Sequence, residues 1–238
     1  VKMEIRDLVI RRNHAAQRGG GIYAKTYSGN CTIDLLLVNT LVYGNQADWT
    51  GGGVQLLATE VGDDNVTRAV MINSTITGNT SDAQDAGFNP GGGISVRAYQ
   101  GNGALASVDL YNTIVYGNTA LGGEEGQDLH IWEKGPGDAE VHAYHGDVGD
   151  VWVDADAEYS TDSVINADPV FADPGHEDYH LTVGSPCRDA GTADVADPPG
   201  LPDHEFEGQP RVMGSAPDIG ADEYGLPHYL PLMVRNAS

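Results

Sequence analysis

Cysteine, phenylalanine and basic residues are scarce in this 238-residue sequence, which holds two Cys, three Phe and twelve Lys plus Arg against thirty-five Asp plus Glu. The two cysteines, Cys31 and Cys187, have no CxxC spacing, so neither a thiolate zinc site nor a disulfide-dense scaffold is expected. Their pairing would need the C-terminal part of the chain to return beside the second repeat. No run approaches the ~20 apolar residues that cross a bilayer, so no membrane span is expected. A net charge of −23 makes nucleic acid a poor partner. The chain opens on Val1 with no signal peptide, which fits a mature product whose exporting leader has been removed.

The few basic residues are unevenly placed. Residues 1–118 carry 10 acids and 8 bases, a balance of −2, whereas residues 119–238 carry 25 acids and 4 bases, a balance of −21. Lys2, Arg6, Arg11, Arg12 and Arg18 cluster in the opening stretch, so one end is basic and the second half acidic. Besides solubility, that asymmetry suits head-to-tail attraction between copies of the chain.

What is present in quantity is repetition. Asn39-Thr-Leu-Val-Tyr-Gly-Asn45 returns as Asn73-Ser-Thr-Ile-Thr-Gly-Asn79 and Asn112-Thr-Ile-Val-Tyr-Gly-Asn118, with a worn copy in Asp7-Leu-Val-Ile-Arg-Arg-Asn13. Glycine triplets recur at Gly19, Gly51 and Gly91. The heptads begin 32, 34 and 39 residues apart, a spacing of stacked supersecondary units. Aligned by column, Ile22/Val54/Ile94 and Ala24/Leu56/Val96 alternate with Tyr23/Gln55/Ser95 and Lys25/Leu57/Arg97. This period of two points the first set inward and the second outward.

Short strands separated by Asn- or Gly-bearing corners, with no 3.6 period, predict an all-β chain: a right-handed parallel β-helix of about four coils, three strands each, followed by an irregular acidic closing region. Asn39, Asn73 and Asn112 are expected to stack as one internal amide ladder, and Asn45, Asn79 and Asn118 as a second. Residues 1–145 are assigned to the coils, 146–225 to the closing region and 226–238 to a strand-like tail. Outward Leu41, Ile114, Tyr43 and Tyr116 form an apolar stripe that the C-terminal region or another chain should cover.

The motif N-[ST]-x-x-x-G-N followed by GGGI resembles the right-handed parallel β-helix repeats of bacterial surface proteins. Asn166-Ala-Asp-Pro-Val-Phe-Ala-Asp-Pro174, the stretch from Asp178 to Gly191, Pro210-Arg211 and Asp218-Ile-Gly-Ala-Asp-Glu-Tyr224 resemble the choice-of-anchor Q domain that closes such proteins. The resemblance implies a secreted or surface-anchored, extracellular protein and no assigned chemistry.

Catalytic constellations are sparse. The later coils offer only Arg68, Arg97 and Lys134 as bases, and Asp109 stacks above Leu36 and Val70 rather than above a second carboxylate. A polysaccharide lyase or glycosidase is therefore the least favoured reading, and no cofactor is expected. Calcium is the one metal considered, at Asp147, Asp150, Asp154, Asp156, Asp203 and Glu205; Asp154-Ala-Asp-Ala-Glu158 begins like a calcium loop but carries Tyr159 where a Gly is needed. Sequons place possible glycans at Asn30, Asn65 and Asn236.

The favoured expectation is a non-catalytic structural protein, a surface scaffold or filament subunit that partners with copies of itself. Its first coil begins without a cap. The tail residues Tyr229, Leu230, Leu232, Met233 and Val234 are placed to add a strand to a neighbour's edge. The alternative is a glycan-binding adhesin module using corner loops and outward tyrosines.

Overall fold

The computed structural model describes residues 1–61, 64–82, 91–99, 103–122, 126–196 and 199–225. Strands make up 51% of the chain, and the one helical element among the described residues is the 3-10 turn Pro174–His176. Three parallel sheets curl into a half-barrel, and successive sequence repeats lie side by side in each. The first sheet contains Lys2–Arg11, Thr32–Tyr43, Val66–Ile72, Leu105–Tyr111, Asp138–Tyr144 and Glu158–Asp162. The shorter strands Thr75–Thr77, Ile114–Tyr116 and Asp147–Val148 continue it beyond the Asn corner. The second sheet orders Ile22–Ser28, Val54–Val61, Ile94–Tyr99, Leu129–Lys134 and Val151–Val153. The third is narrow: His14–Ala15, Gln46–Ala47, Thr80–Asp82 and Thr119–Leu121.

Register follows the sequence columns. Val54 faces Ile22 on one side and Ile94 on the other, and Ile94 faces Leu129 in turn. Val54, Leu56, Ala58, Ile94, Val96, Ala98, Leu129 and Ile131 are all fully buried in one continuous core. Each of these strands contributes every second side chain, so a core leucine truncated to alanine removes contacts from the rows above and below and costs about 2–5 kcal/mol. Parallel pairing runs past residue 145, through Val151–Val153 and Glu158–Asp162, because Val141 and Ile131 still find apolar partners in Tyr159 and Val153.

The glycine triplets hold the second and third sheets together. Only the first glycine of the Gly19 and Gly51 triplets has positive φ (64° and 66°). The second is there for close approach: a Cβ on Gly52 would collide with the carbonyls of Thr80 and Gly92.

The described residues between 166 and 225 pack back across the outer face of the first sheet. Ile114 on that sheet joins Leu181, Cys187 and Ile219 in a second apolar cluster, and Tyr43 meets Tyr179 with ring centroids 4.7 Å apart. The apolar stripe is thus covered by the chain's own C-terminal region. Among the described residues its one paired set of strands is antiparallel, Phe171–Asp173 with Asp178–Leu181.

Candidate functional site

The two asparagine columns behave differently. Asn13, Asn45 and Asn79 each donate backbone N–H and side-chain Nδ2 to the Oδ1 of the next member, at 2.9–3.1 Å, through Asn45, Asn79 and Asn118. Asn118 gives both bonds to Asp128 Oδ1 at 2.8 Å. A carboxylate accepts but has nothing to donate, so Asp128 ends the series, its pKa raised mainly by burial.

Asn39, Asn73 and Asn112 hold the left-handed conformation, with φ of 49°, 45° and 47°, and make only one amide contact among themselves, Asn112 to Asn73 at 3.4 Å. The internal ladder expected of Asn39, Asn73 and Asn112 is therefore replaced by a docking row. The left-handed corner turns these side chains out of the core toward the C-terminal region. Asn39 Nδ2 donates to His204 O, Asn73 Nδ2 to Asp218 O and Asn112 Nδ2 to Thr192 O, while Asn112 Oδ1 accepts from Thr192 N. Arg211 Nη2 reaches Asn39 Oδ1 at 2.7 Å, and its Nη1 lies 3.3 Å from Glu223 in a pair almost wholly removed from water. Burial raises the Glu223 pKa to about 8, against the opposing pull of the Asp218 N–H it accepts from and of the Arg211 guanidinium.

The sequence-proposed assembly residues are dispersed. Glu177, far along the chain, pairs with both Arg11 and Arg12, and Tyr43 donates to it at 3.0 Å. Arg6 contacts Glu4, leaving Lys2 as the basic residue of the first strand without a carboxylate partner among the described residues. The strands Lys2–Arg11, His14–Ala15 and Ile22–Ser28 each pair on one side only, and Val1, Met3 and Leu8 are exposed. Tyr229, Leu230, Leu232, Met233, Val234 and Asn236 lie outside the described residues.

The calcium proposal gains no geometry. Asp147 is buried, accepting from Cys187 Sγ at 3.2 Å and from Ala167 N. Asp150 accepts from Gln127 N, and Glu205 from Glu207 N and Gln209 N. Asp154 and Asp156 flank a turn, and Asp203 gives its carbonyl to Arg211 N. Among the described residues no three His, Cys, Asp or Glu side chains converge as a metal site. Asn65 is fully buried, accepting from Cys31 N and donating to Thr59 O, so the folded chain does not offer it for glycosylation, while Asn30 is exposed. Cys31 is exposed and Cys187 buried; they form no disulfide, and burial together with Asp147 raises the Cys187 thiol pKa.

A groove that the sequence reading did not single out lies on the outer face of the second sheet. It encloses about 300 Å³ between Arg18, Lys25, Tyr27, Leu57, Thr59, Arg97, Tyr99 and Trp132. The register builds it, since Lys25, Leu57, Arg97 and Trp132 are consecutive partners across four strands. Every cation there lies over a ring: Arg18 on Trp49 at 4.9 Å, Lys25 on Tyr27 at 4.6 Å, Arg97 on Trp132 at 4.3 Å and Lys134 on Tyr99 at 5.9 Å. Tyr99 and Trp132 stack at 5.9 Å, and Tyr27 is 60% exposed. Arg18, Lys25 and Lys134 have no carboxylate partner among the described residues, in a chain where acids outnumber bases nearly threefold. Burial, helped by Arg18, lowers the Arg97 pKa to about 10. Beside the groove, His130 stacks on Trp152 at 4.6 Å, and burial drives its pKa down to about 3, so it is a neutral ring. The outward column Lys25/Leu57/Arg97 carried this signal in the sequence, but Trp132 and Lys134 sit in the repeat whose glycine marker has decayed.

No protein-family model, no characterised protein and no solved structure matches this chain.

Proposed function

We propose that the chain is a right-handed parallel β-helix of about four three-strand coils, exported from the cell, and that it serves as a glycan-binding module whose cationic, aromatic groove holds an acidic polysaccharide. The three parallel sheets, with repeats in register and a shared core, support that architecture. The observation that carries the function is the set of cations with no carboxylate partner among the described residues, lying on aromatic rings in an otherwise acidic molecule. Carboxylates of a uronate chain would meet Lys25, Lys134 and Arg18, while sugar ring faces would lie on Tyr27, Tyr99 and Trp132. A nucleic acid, with its dense phosphate charge, would be opposed by the −21 half of the chain.

Calorimetry with polyuronate oligosaccharides, neutral oligosaccharides of equal length and a single-stranded oligonucleotide tests this reading. The expected result is salt-sensitive binding of the uronates alone, weakened at least tenfold by Lys25→Ala and by Trp132→Ala. Binding of the oligonucleotide in preference, or of no ligand, would overturn it.

The single-sided pairing of the first strand in each sheet favours a second reading, end-to-end docking of copies. Since Glu177 occupies Arg11 and Arg12, that docking would rest on strand edges more than on charge. Light scattering across a salt series should then show an assembly that persists at high salt; a monomer at every concentration sinks this second reading.

A further inference from the structure

A separate cavity of about 320 Å³ lies where the C-terminal region crosses the first sheet. Leu41, Tyr43 and Thr75 form its sheet wall, and Tyr179, Phe206 and Asp222 its other wall. Asp222 is 5% exposed, and its Oδ2 accepts from Leu181 N at 3.1 Å. Its Oδ1 is buried and has no hydrogen-bond partner among the described residues. An acceptor removed from water without a donor is costly, and here it belongs to a residue that lines an open cavity.

The other charged groups around the cavity are already matched. Glu177 holds Arg11 and Arg12, and His180 is clasped between Asp178 at 2.5 Å and Glu207 at 3.2 Å. An incoming cation would meet Arg11 and His180, and an incoming anion would meet Glu177, Glu207 and Asp222. A neutral ligand escapes both penalties. It needs one O–H to give and an apolar face to lay against rings.

We propose that this cavity binds a neutral hydroxylated ring, of the class of a single pyranose unit, with one hydroxyl donating to Asp222 Oδ1 and its ring face against Tyr179 and Phe206. Thr75 Oγ1, which accepts from Ala221 N at 3.0 Å, still has its own O–H to offer a second ring oxygen. The site is on a different sheet from the cationic groove and does not rest on that groove's function.

The test is titration of the ¹⁵N-labelled full chain with methyl glycosides of neutral hexoses, with a methyl uronoside and methylammonium as charged comparisons. At least one neutral glycoside should shift the amides of Thr75, Leu181 and Ala221 saturably at millimolar concentration. Asp222→Asn retains an acceptor for Leu181 N but turns a donor toward the cavity, and should weaken binding at least tenfold with the unfolding midpoint retained. Phe206→Ala should weaken it similarly, and Lys25→Ala should leave it unchanged. The proposal is overturned if no neutral glycoside shifts those amides, if only a charged probe does, if binding survives both cavity substitutions, or if Lys25→Ala abolishes it.

Discussion

Asn79 and Asn73 lie six residues apart in the same repeat, recur with the same spacing, and are both fully buried, yet they serve different structures. The Asn45, Asn79 and Asn118 column joins one repeat to the next inside the half-barrel. The Asn39, Asn73 and Asn112 row joins the sheets to a segment some 80 to 165 residues further along the chain. An amide repeated at a fixed period therefore says that something is hydrogen-bonded there, and backbone φ decides to what. In the left-handed row the side chain leaves the stack, and its partners become carbonyls of the docked region.

Substitutions can break the two columns separately. The largest effect should come from Asn79→Ala, which leaves Asn45 N without its acceptor, takes one acceptor from Asn45 Nδ2, and removes the Nδ2 donor that serves Asn118 Oδ1, Val42 O and Thr77 O. We expect a loss of about 5 kcal/mol in urea unfolding, shared by the whole strand signal in circular dichroism. Arg211→Ala should cost about 4 kcal/mol, because Asn39 Oδ1 and the Gly220 and Ala221 carbonyls lose a buried charged donor and Glu223 loses the cation that opposes its protonation. Limited proteolysis should then cut within 190–225 while the strand signal survives; uniform unfolding would show that the two regions are not separable.

Protonation sharpens the same contrast. Burial raises Asp147 and Asp222 to about 6, and both lie where the C-terminal region docks. The folded chain therefore holds protons that the unfolded chain releases near pH 4. Stability from these two groups is complete below about pH 4 and is lost as pH rises through 6, a change of about 3 kcal/mol for each. His180, whose pKa is raised to about 9 by Asp178 and Glu207 against the opposing effect of burial, adds a further decline between pH 6.5 and 9. Thermal scans from pH 4 to 9 should show a falling midpoint; a midpoint that rises across pH 4 to 6 would contradict the burial of both carboxyls. The smallest effect belongs to Asn73→Ala, about 1 kcal/mol for the bond to Asp218 O and the long contact from Asn112 Nδ2, seen as faster amide exchange around Asp218 while the strands keep their protection.

The sequence made the stack legible because identical columns sit one above another, so inward sets such as Ile22, Val54 and Ile94 could be read from period two alone. The covered stripe at Tyr43 and Ile114 was legible for the same reason. What covers it was not, since Tyr179, Leu181 and Ile219 belong to a segment with no repeat to align. The basic start was visible, but its neutralisation by Glu177 spans 166 residues and leaves no local pattern. The groove fell between these cases: Lys25 and Arg97 were on an outward column, and only strand register brings Trp132 onto it.

The amide series also has a direction. Asn45, Asn79 and Asn118 each give two protons forward to a side-chain oxygen and receive two from behind, Asn13 Oδ1 accepts nothing among the described residues, and the Asp128 side chain passes no proton on, its Oδ2 accepting from Asp150 N. It works like a copolymer carrying a terminator unit at one end only. Further Asn-bearing rows are accommodated ahead of Asn13, whereas the run is closed at Asp128. The row beyond, at Asp150, turns its backbone N–H back toward Asp128 Oδ2, so the amide thread ends inside the molecule, one row short of the last strand of the second sheet.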